Sequence, residues 1–387
     1  MVKHYLKKLK TILRFTKTKR KNIQRKVNRI LRHPLPLFWV IFLTFLFLFR
    51  FVTTRPVYKI GDTVRITSRV LTEPIISYGK QKFKVQNLSI KLPQFPQIGY
   101  GDKVVVEGVV GEKKVLENPK LIKKVSGNNI LFSFRQKIIS FYQDTLPEPH
   151  SSLVAGIIMG SKGNIPYQFW SDLKTTGTAH MVVASGTNVT FVAGFILSVF
   201  LLFLSRRWAI PLCLGGIGIY VILSGLDAPI VRAAIMAVVA LIAQELGRVQ
   251  TAVRSLIYSA YIMIFINPDW VGDLGFVLSF AATTSLIIFQ KPIEGLIRKI
   301  PSFIRADLST TLAAQIGVVP ILFFAFGQFN PLSPLINLLV LWTVPPIMIL
   351  GALGGVVGLV FPILGRFILV LVYPMTWWFN TVINLFS

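Results

Sequence analysis

MVVASGTNVTFVAGFILSVFLLFLSRRWAIPLCLGGIGIYVILSGLDAPIVRAAIMAVVALIAQELGR (Met181–Arg248) reads as three apolar runs with two kinds of break between them. The first break, Arg206-Arg207, is basic. The second, Gly225–Asp227, is not, and Arg248 closes the third run on a basic residue again. Each run is long enough to cross hydrocarbon as a helix. Basic loops mark the cytoplasmic side of such helices. The stretch therefore predicts a polytopic membrane protein.

The alternation extends in both directions. Expected spans are 36–52, then 182–204, 208–224, 228–246, 252–267, 271–289, 309–326, 333–360 and 366–386. The loops at Arg206/Arg207, at Arg248 and Arg254, from Lys291 to Arg305, and at Arg366 are basic. Those at Gly225–Asp227, Asn267–Trp270 and Gly327–Leu332 are not. One miscounted span breaks this agreement. It places the N-terminus in the cytoplasm, and the region after the first span and the C-terminus outside.

Composition agrees. Hydrophobic residues are 53% of the 387, charged residues 15%, and mean hydropathy is +0.63. In water that balance exposes too much apolar surface. Net charge is +27, of which residues 1–34 supply thirteen Lys/Arg and no acid. Residues 55–125 carry fourteen Lys/Arg against six Asp/Glu, a net +8. A topology signal with attraction to anionic lipid accounts for the tail. It does not account for a basic segment outside, which suits phospholipid headgroups or nucleic acid. Cys213 is the one cysteine, so no intrachain disulfide or thiolate cluster forms. The four histidines lack metal-ligand spacing, and there is no Walker A loop. No cofactor, metal site or catalytic group is expected. His180 and Ser185 stand five apart without a third partner, so a hydrolase is disfavoured.

Five regions follow. Residues 1–34 form a basic cytoplasmic segment with Leu6, Leu9, Leu13 and Ile30 among lysines, suited to the inner leaflet. Residues 35–52 are the first transmembrane helix rather than a cleavable signal, because the basic region before it is too long. Residues 53–128 are an external OB-like β-barrel domain: GDTVRITSRV and GDKVVVEGVV read as strands, with a hairpin turning at Tyr78-Gly79-Lys80 and a turn at Gly111-Glu112. A generic small β-domain fits the same pattern. Residues 129–180 read as interfacial helices, the first with Leu131, Phe134, Ile138 and Phe141 on one face. Residues 181–387 form a bundle of about eight spans. The fold class is a polytopic α-helical membrane protein of about nine spans with a small closed β-barrel outside.

Polar groups in hydrocarbon are costly and face a protein interior or a water path. Ser185, Gly186, Thr187, Asn188 and Thr190 interrupt the second span near its outer end. Arg232 lies about one turn from an outer end, able to snorkel or to offer a guanidinium to phosphate. Asp273, Ser279, Gln315 and Asn337 put one polar group each into later spans. The candidates for lining a channel are Ser185, Gly186, Asn188, Arg232, Ser279, Gln315 and Asn337. Hydrogen-bond glue between helices explains the same residue types. Pro229, Pro320, Pro345-Pro346 and Pro374 break the helix ladder inside spans. GALGGVVG, with Gly351, Gly354, Gly355 and Gly358, supplies small faces for tight helix packing. In the β region, Lys80, Lys82 and Lys84 alternate with Gln81 and Phe83 beside Tyr78. Period-two alternation sets the lysines on one face and Phe83 on the other. Lys80, Lys82, Lys84, Tyr78, Phe83 and Arg65 are the candidate nucleic-acid-binding residues; a merely solvated lysine face is the alternative.

At these residues the chain resembles the ComEC competence family of inner-membrane DNA-uptake channels. AHMVVASGTNVTFVAG (Ala179–Gly194) is similar to its Ser-Gly-x-His/Asn-Val signature, and APIVRAAIMA (Ala228–Ala237) to its Pro-x-Val-Arg-Ala segment. NPDWVGDLGFVLSFAATTSLI (Asn267–Ile287) is similar to its Asp-x-Gly-Phe-Gln-Leu-Ser-Phe segment, with Val277 where Gln is usual. AAQIGVVPILFFAFGQFNPLSPLINLLV (Ala313–Val340) resembles its Ala-Gln…Ser-Pro…Asn-Leu run. MGSKGNIP (Met159–Pro166) is a looser match to a Leu-Gly-Asp-Arg loop, with Ser161 in place of the acid. The resemblance implies an external OB-type domain, interfacial helices and a channel passing single-stranded DNA inward. Many members add a C-terminal metallo-β-lactamase-like domain. The sequence ends at Ser387, after the last span, so a form without that domain and its nuclease activity is expected.

The expected partners are single-stranded DNA, membrane lipid, a cytoplasmic helicase or translocase, and external DNA-capture or nuclease proteins; a homo-oligomer is left open by the sequence. A transporter of another anionic polymer or lipid-linked substrate, and a non-transporting membrane scaffold, are the alternatives.

Overall fold

A computed structural model describes residues 34–53, 58–77, 79–85, 88–112, 115–126, 130–163, 165–183, 185–247, 251–326 and 330–387. The basic segment expected over 1–34 lies outside these up to residue 33, as do Tyr78 and Arg248. The chain divides into two units, 1–56 and 57–387. In the first, α1 (Pro34–Thr53) runs for 20 residues. Its sequence is uncharged until Arg50, so nothing interrupts the apolar run that favours a helix in lipid.

The second unit opens with six strands: β1 (Thr63–Arg69), β2 (Ile75–Ser77), β3 (Lys80–Val85), β4 (Leu88–Pro93), β5 (Lys103–Val110) and β6 (Leu116–Val125). They form two antiparallel three-stranded sheets, β1-β5-β6 and β2-β3-β4. The expected closed barrel is not formed. The chain leaves the first sheet at Val70, and after the bend at Thr72 only the three residues of β2 pair in the second. One parallel bridge, Ser89 to Val115, links the sheets. They share a core of Ile66, Phe83, Val85, Leu88, Ile90, Val104, Val106 and Leu116. β2 and β3 form a hairpin where the sequence places a turn, with Ser77 opposite Lys80.

Helices follow: α2 (Ile130–Thr145), α3 (His150–Met159), α4 (Tyr167–Thr175), α5 (Ala179–Val182), α6 (Gly186–Phe203), α7 (Arg206–Leu223), α8 (Ala228–Glu245), α9 (Ala252–Ile266), a 3₁₀ turn at Pro268–Gly272, α10 (Leu274–Leu296), α11 (Ser302–Phe326), α12 (Ser333–Leu341), α13 (Val344–Gly358) and α14 (Pro362–Phe386). Among the described residues six stretches are long and apolar enough to cross a membrane, or seven if α12 and α13 count as one bent span. Expected spans were more numerous. At 15 residues α9 is shorter than a full crossing. The expected single span 333–360 is two helices bent by 44°. Pro345 and Pro346 lie in the first turn of α13, where a missing N–H costs nothing but the preceding helix cannot continue. Pro229 likewise sits in the first turn of α8, whereas Pro320 and Pro374 are inside α11 and α14. Asp273 is the N-cap of α10, accepting from Phe276 N at 3.2 Å, rather than a residue inside a span.

The helix α3, expected at the outer leaflet, is buried at every residue. It forms the centre of a core with Ile138, Tyr142, Ile336, Ile347, Leu369 and Phe379. Past His150, Ser151 and Ser152 its seven remaining residues are apolar, with no polar face to reveal which side they bury. The glycines of α13 pack as expected. A Cβ on Gly358 would collide with the Phe141 ring, and one on Gly365 with the Gly358 backbone, so α13 and α14 approach at backbone distance.

Candidate functional site

The β region sits at one end of the bundle and is fastened there by specific contacts. Glu73, between β1 and β2, accepts from Arg135 Nη2 (3.2 Å), Ser161 Oγ (2.7 Å) and Lys162 N (2.7 Å). Arg135 on α2 is 2% exposed. It also donates to Leu223 O (2.7 Å) and Met159 O (3.2 Å), so it satisfies carbonyls at the C-terminal ends of α7 and α3. Tyr100 stacks under its guanidinium, 4.8 Å from the ring centroid, and donates to Ile222 O at 2.7 Å. Burial pushes the Tyr100 hydroxyl up to about 12, against the pull of Arg135, so it stays a donor at physiological pH. The Lys162 ammonium pairs with Asp227, the N-cap of α8. Lys84 Nζ lies 3.6 Å from Asp273, the N-cap of α10. The loops read as non-basic from the sequence, around Asp227 and Asn267–Trp270, thus belong to the end that meets the β region.

The exposed face of the β2-β3-β4 sheet is basic. Lys80, Lys82 and Lys84 point outward, while Gln81, Phe83 and Val85 are buried. Lys82 stands opposite Lys91 on β4. No acid occurs in these three strands, and like charges directly opposite repel. Gln81, read only as a spacer, is a structural residue: its amide donates to Pro93 O and Pro96 O and accepts from Ile98 N. Phe83 belongs to the core, so its ring stacks on no base in this conformation. Arg65 lies on the other sheet, opposite Glu107, which faces Lys120 in turn. The structure does not bring Arg65 to the lysines.

Within the bundle, five of the seven lining candidates converge. Ser185 precedes α6 and donates to Asn188 Oδ1 at 3.0 Å; its hydroxyl lies 2.6 Å from Thr187 Oγ1. Asn188, 1% exposed, donates to Ile157 O at 2.7 Å, tying α6 to α3. Arg232 on α8 donates to Ser279 O on α10 at 2.8 Å. Its Nη2 approaches Gly186 so closely that a Cβ there would lie 3.1 Å away. Gly186 admits this guanidinium. Gln315 on α11 and Asn337 on α12 form no hydrogen bond to this group among the described residues. Sequence reasoning missed Arg135, Glu73 and Tyr220; Tyr220 lies beside Asn188 from α7. His180 Nδ1 is 3.0 Å from Gly177 O, and the Ser185 hydroxyl is engaged by Thr187 and Asn188. Among the described residues no three His, Cys, Asp or Glu side chains gather as a metal site.

A family model described as "Competence protein" matches residues 157–387. The match spans α6, α8 and α10 with their polar cluster and covers more than half of the chain. The chain belongs to the competence protein family. It is 28% identical over 228 residues to ComE operon protein 3 of Bacillus subtilis, covering 58% of this chain and 29% of that protein. It is 27% identical over 221 residues to the uncharacterized protein YcaI of Escherichia coli, covering 54% of this chain and 29% of that one. The chain thus matches less than a third of the length of each relative. No solved structure matches. Family membership and the apolar helices together make this a multi-pass membrane protein, and they bear out the resemblance read from the motifs.

Proposed function

We propose that the chain takes part in DNA uptake by passing single-stranded DNA across the cytoplasmic membrane. The observation that carries the reading is the lysine face of Lys80, Lys82, Lys84 and Lys91, whose strands hold no acid and whose Lys84 meets Asp273 at the start of α10, the helix that accepts from Arg232 through the Ser279 carbonyl. Phosphates bind lysines irrespective of sequence and release counterions as they do. The face is positioned at the bundle end where Ser185, Asn188, Arg232 and Ser279 converge. The β region acts as an OB-type platform using charge more than stacking, since Phe83 is inside. It lies outside the cell with the C-terminus, and the N-terminus lies in the cytoplasm. No motor motif is present in the sequence, so a cytoplasmic helicase or translocase supplies the force and outer proteins deliver the strand. The chain itself is non-enzymatic on this reading. Homo-oligomer formation is open to direct measurement.

The test is single-stranded oligonucleotide binding by the full chain in nanodiscs of zwitterionic lipid, followed across salt. The logarithm of affinity falls linearly with the logarithm of salt, by about 0.7 per phosphate neutralised. Lys82→Glu reverses one charge and weakens binding by roughly tenfold, about 1.4 kcal/mol. Absence of binding at low salt favours another cargo, such as a different anionic polymer or a lipid-linked substrate.

A further inference from the structure

The N-terminus of α6 sets two uncompensated positive features against each other. Ser185 occupies the N-cap position, yet its side chain turns to Asn188 and Thr187 and caps no first-turn amide. The positive end of that helix is therefore left without a side-chain acceptor. Arg232 lies against the same end, at Gly186, and is only 9% exposed. Its Nη1 donates to Ser279 O, but its Nε has no hydrogen-bond partner among the described residues, nor has the Ser279 hydroxyl. The ion pairs between described residues use other cations. A buried guanidinium without a counter-charge is costly, and a cation at a helix N-terminus is repelled. One ligand class relieves all of this.

We propose that Arg232 and the first turn of α6 bind a phosphate-type oxyanion. The Nε–Nη2 edge of the guanidinium, with Nε unpaired, is the fork that grips two oxygens of a phosphate. The Gly186 and Thr187 amides and the Ser279 hydroxyl complete the shell. A Cβ at Gly186 would lie 3.1 Å from Nη2, so a side chain there pushes the fork by a few tenths of an ångström. The inference rests on the DNA-uptake reading only for the owner of the phosphate: a strand phosphodiester, a lipid headgroup and free phosphate share the chemistry.

The experiment uses the full chain in zwitterionic nanodiscs, with inorganic phosphate as first probe and chloride at equal ionic strength as control. Phosphate raises the unfolding temperature of the wild type, and chloride does not. Arg232→Gln abolishes the shift and Gly186→Ala reduces it; the second keeps the charge and guards against misfolding of the first. Arg206→Gln, which removes an equal charge at an exposed position paired with Glu245, keeps it. A second arm uses a short single-stranded oligonucleotide, which binds at least fivefold more weakly to Arg232→Gln if the strand is the occupant. A third arm uses anionic-lipid discs, which blunt the phosphate shift if the headgroup is. A wild type that ignores phosphate, or variants that respond like it, overturn the proposal. If Lys82→Glu still weakens DNA binding in that case, the uptake reading stands without this site. A phosphate response in a wild type that binds no DNA has the opposite meaning.

Discussion

Arg135 ties the β region to the ends of two helices. It is buried, stacks on Tyr100, and donates to Glu73 and to the ends of two helices. Arg135→Met leaves two helix-end carbonyls unpaired and takes from Glu73 its ionic partner, leaving it the Ser161 hydroxyl and the Lys162 amide. The expected loss is about 3–5 kcal/mol, read as a lowered unfolding temperature in detergent. Ser161→Asp sets a second carboxylate against Glu73, whose Oε1 now accepts from the Ser161 hydroxyl at 2.7 Å. It destabilises by roughly 2 kcal/mol through lost hydrogen bonding and like-charge repulsion. Adding Glu73→Gln restores part of this, because the amide pairs with the new acid; additive losses in the double variant contradict the contact. None of this was legible in the sequence. A lone arginine on an amphipathic helix reads as its wet face, and Glu73 lies 62 residues away. The Ser185–Asn188 pair was legible, because residues three apart across a helix start lie within reach.

At the scale of elements, what repeats was readable and what depends on distant partners was not. The lysine strand follows directly from a two-residue period. The two sheets do not, since pairing of β1 with β5 joins segments about forty residues apart and no local signal specifies it. The burial of α3 was hidden for a related reason: uniform apolarity carries no direction. Glycine packing gives a sharp test. Gly365→Ala drives a methyl into the Gly358 backbone and costs about 1–3 kcal/mol as overpacking. Gly215→Ala, on α7 with nothing within 4 Å of the new Cβ, is neutral or stabilises by up to about 1 kcal/mol through helix propensity. Equal thermal shifts for the two variants contradict the close approach of α13 and α14.

For the whole molecule, the charge pattern and the tertiary contacts arrive independently at the same two-ended arrangement. Loops poor in Lys and Arg meet the β region, through Tyr100 to Ile222 and Lys84 to Asp273. The basic Arg206/Arg207 pair lies at the opposite end of α7 from Leu223, which Arg135 holds. Cysteine-accessibility labelling in intact cells is expected to modify a cysteine at Lys82 from outside and one at Arg207 only after permeabilisation. The reverse pattern contradicts the topology. The central claim is that phosphates of a DNA strand cross the membrane by way of this chain. Its most direct test is the amount of labelled DNA reaching the cytoplasm of cells with and without the gene, scored separately from label held at the surface. The account predicts surface label in both and cytoplasmic label only where the gene is present. Equal cytoplasmic label in the two contradicts it.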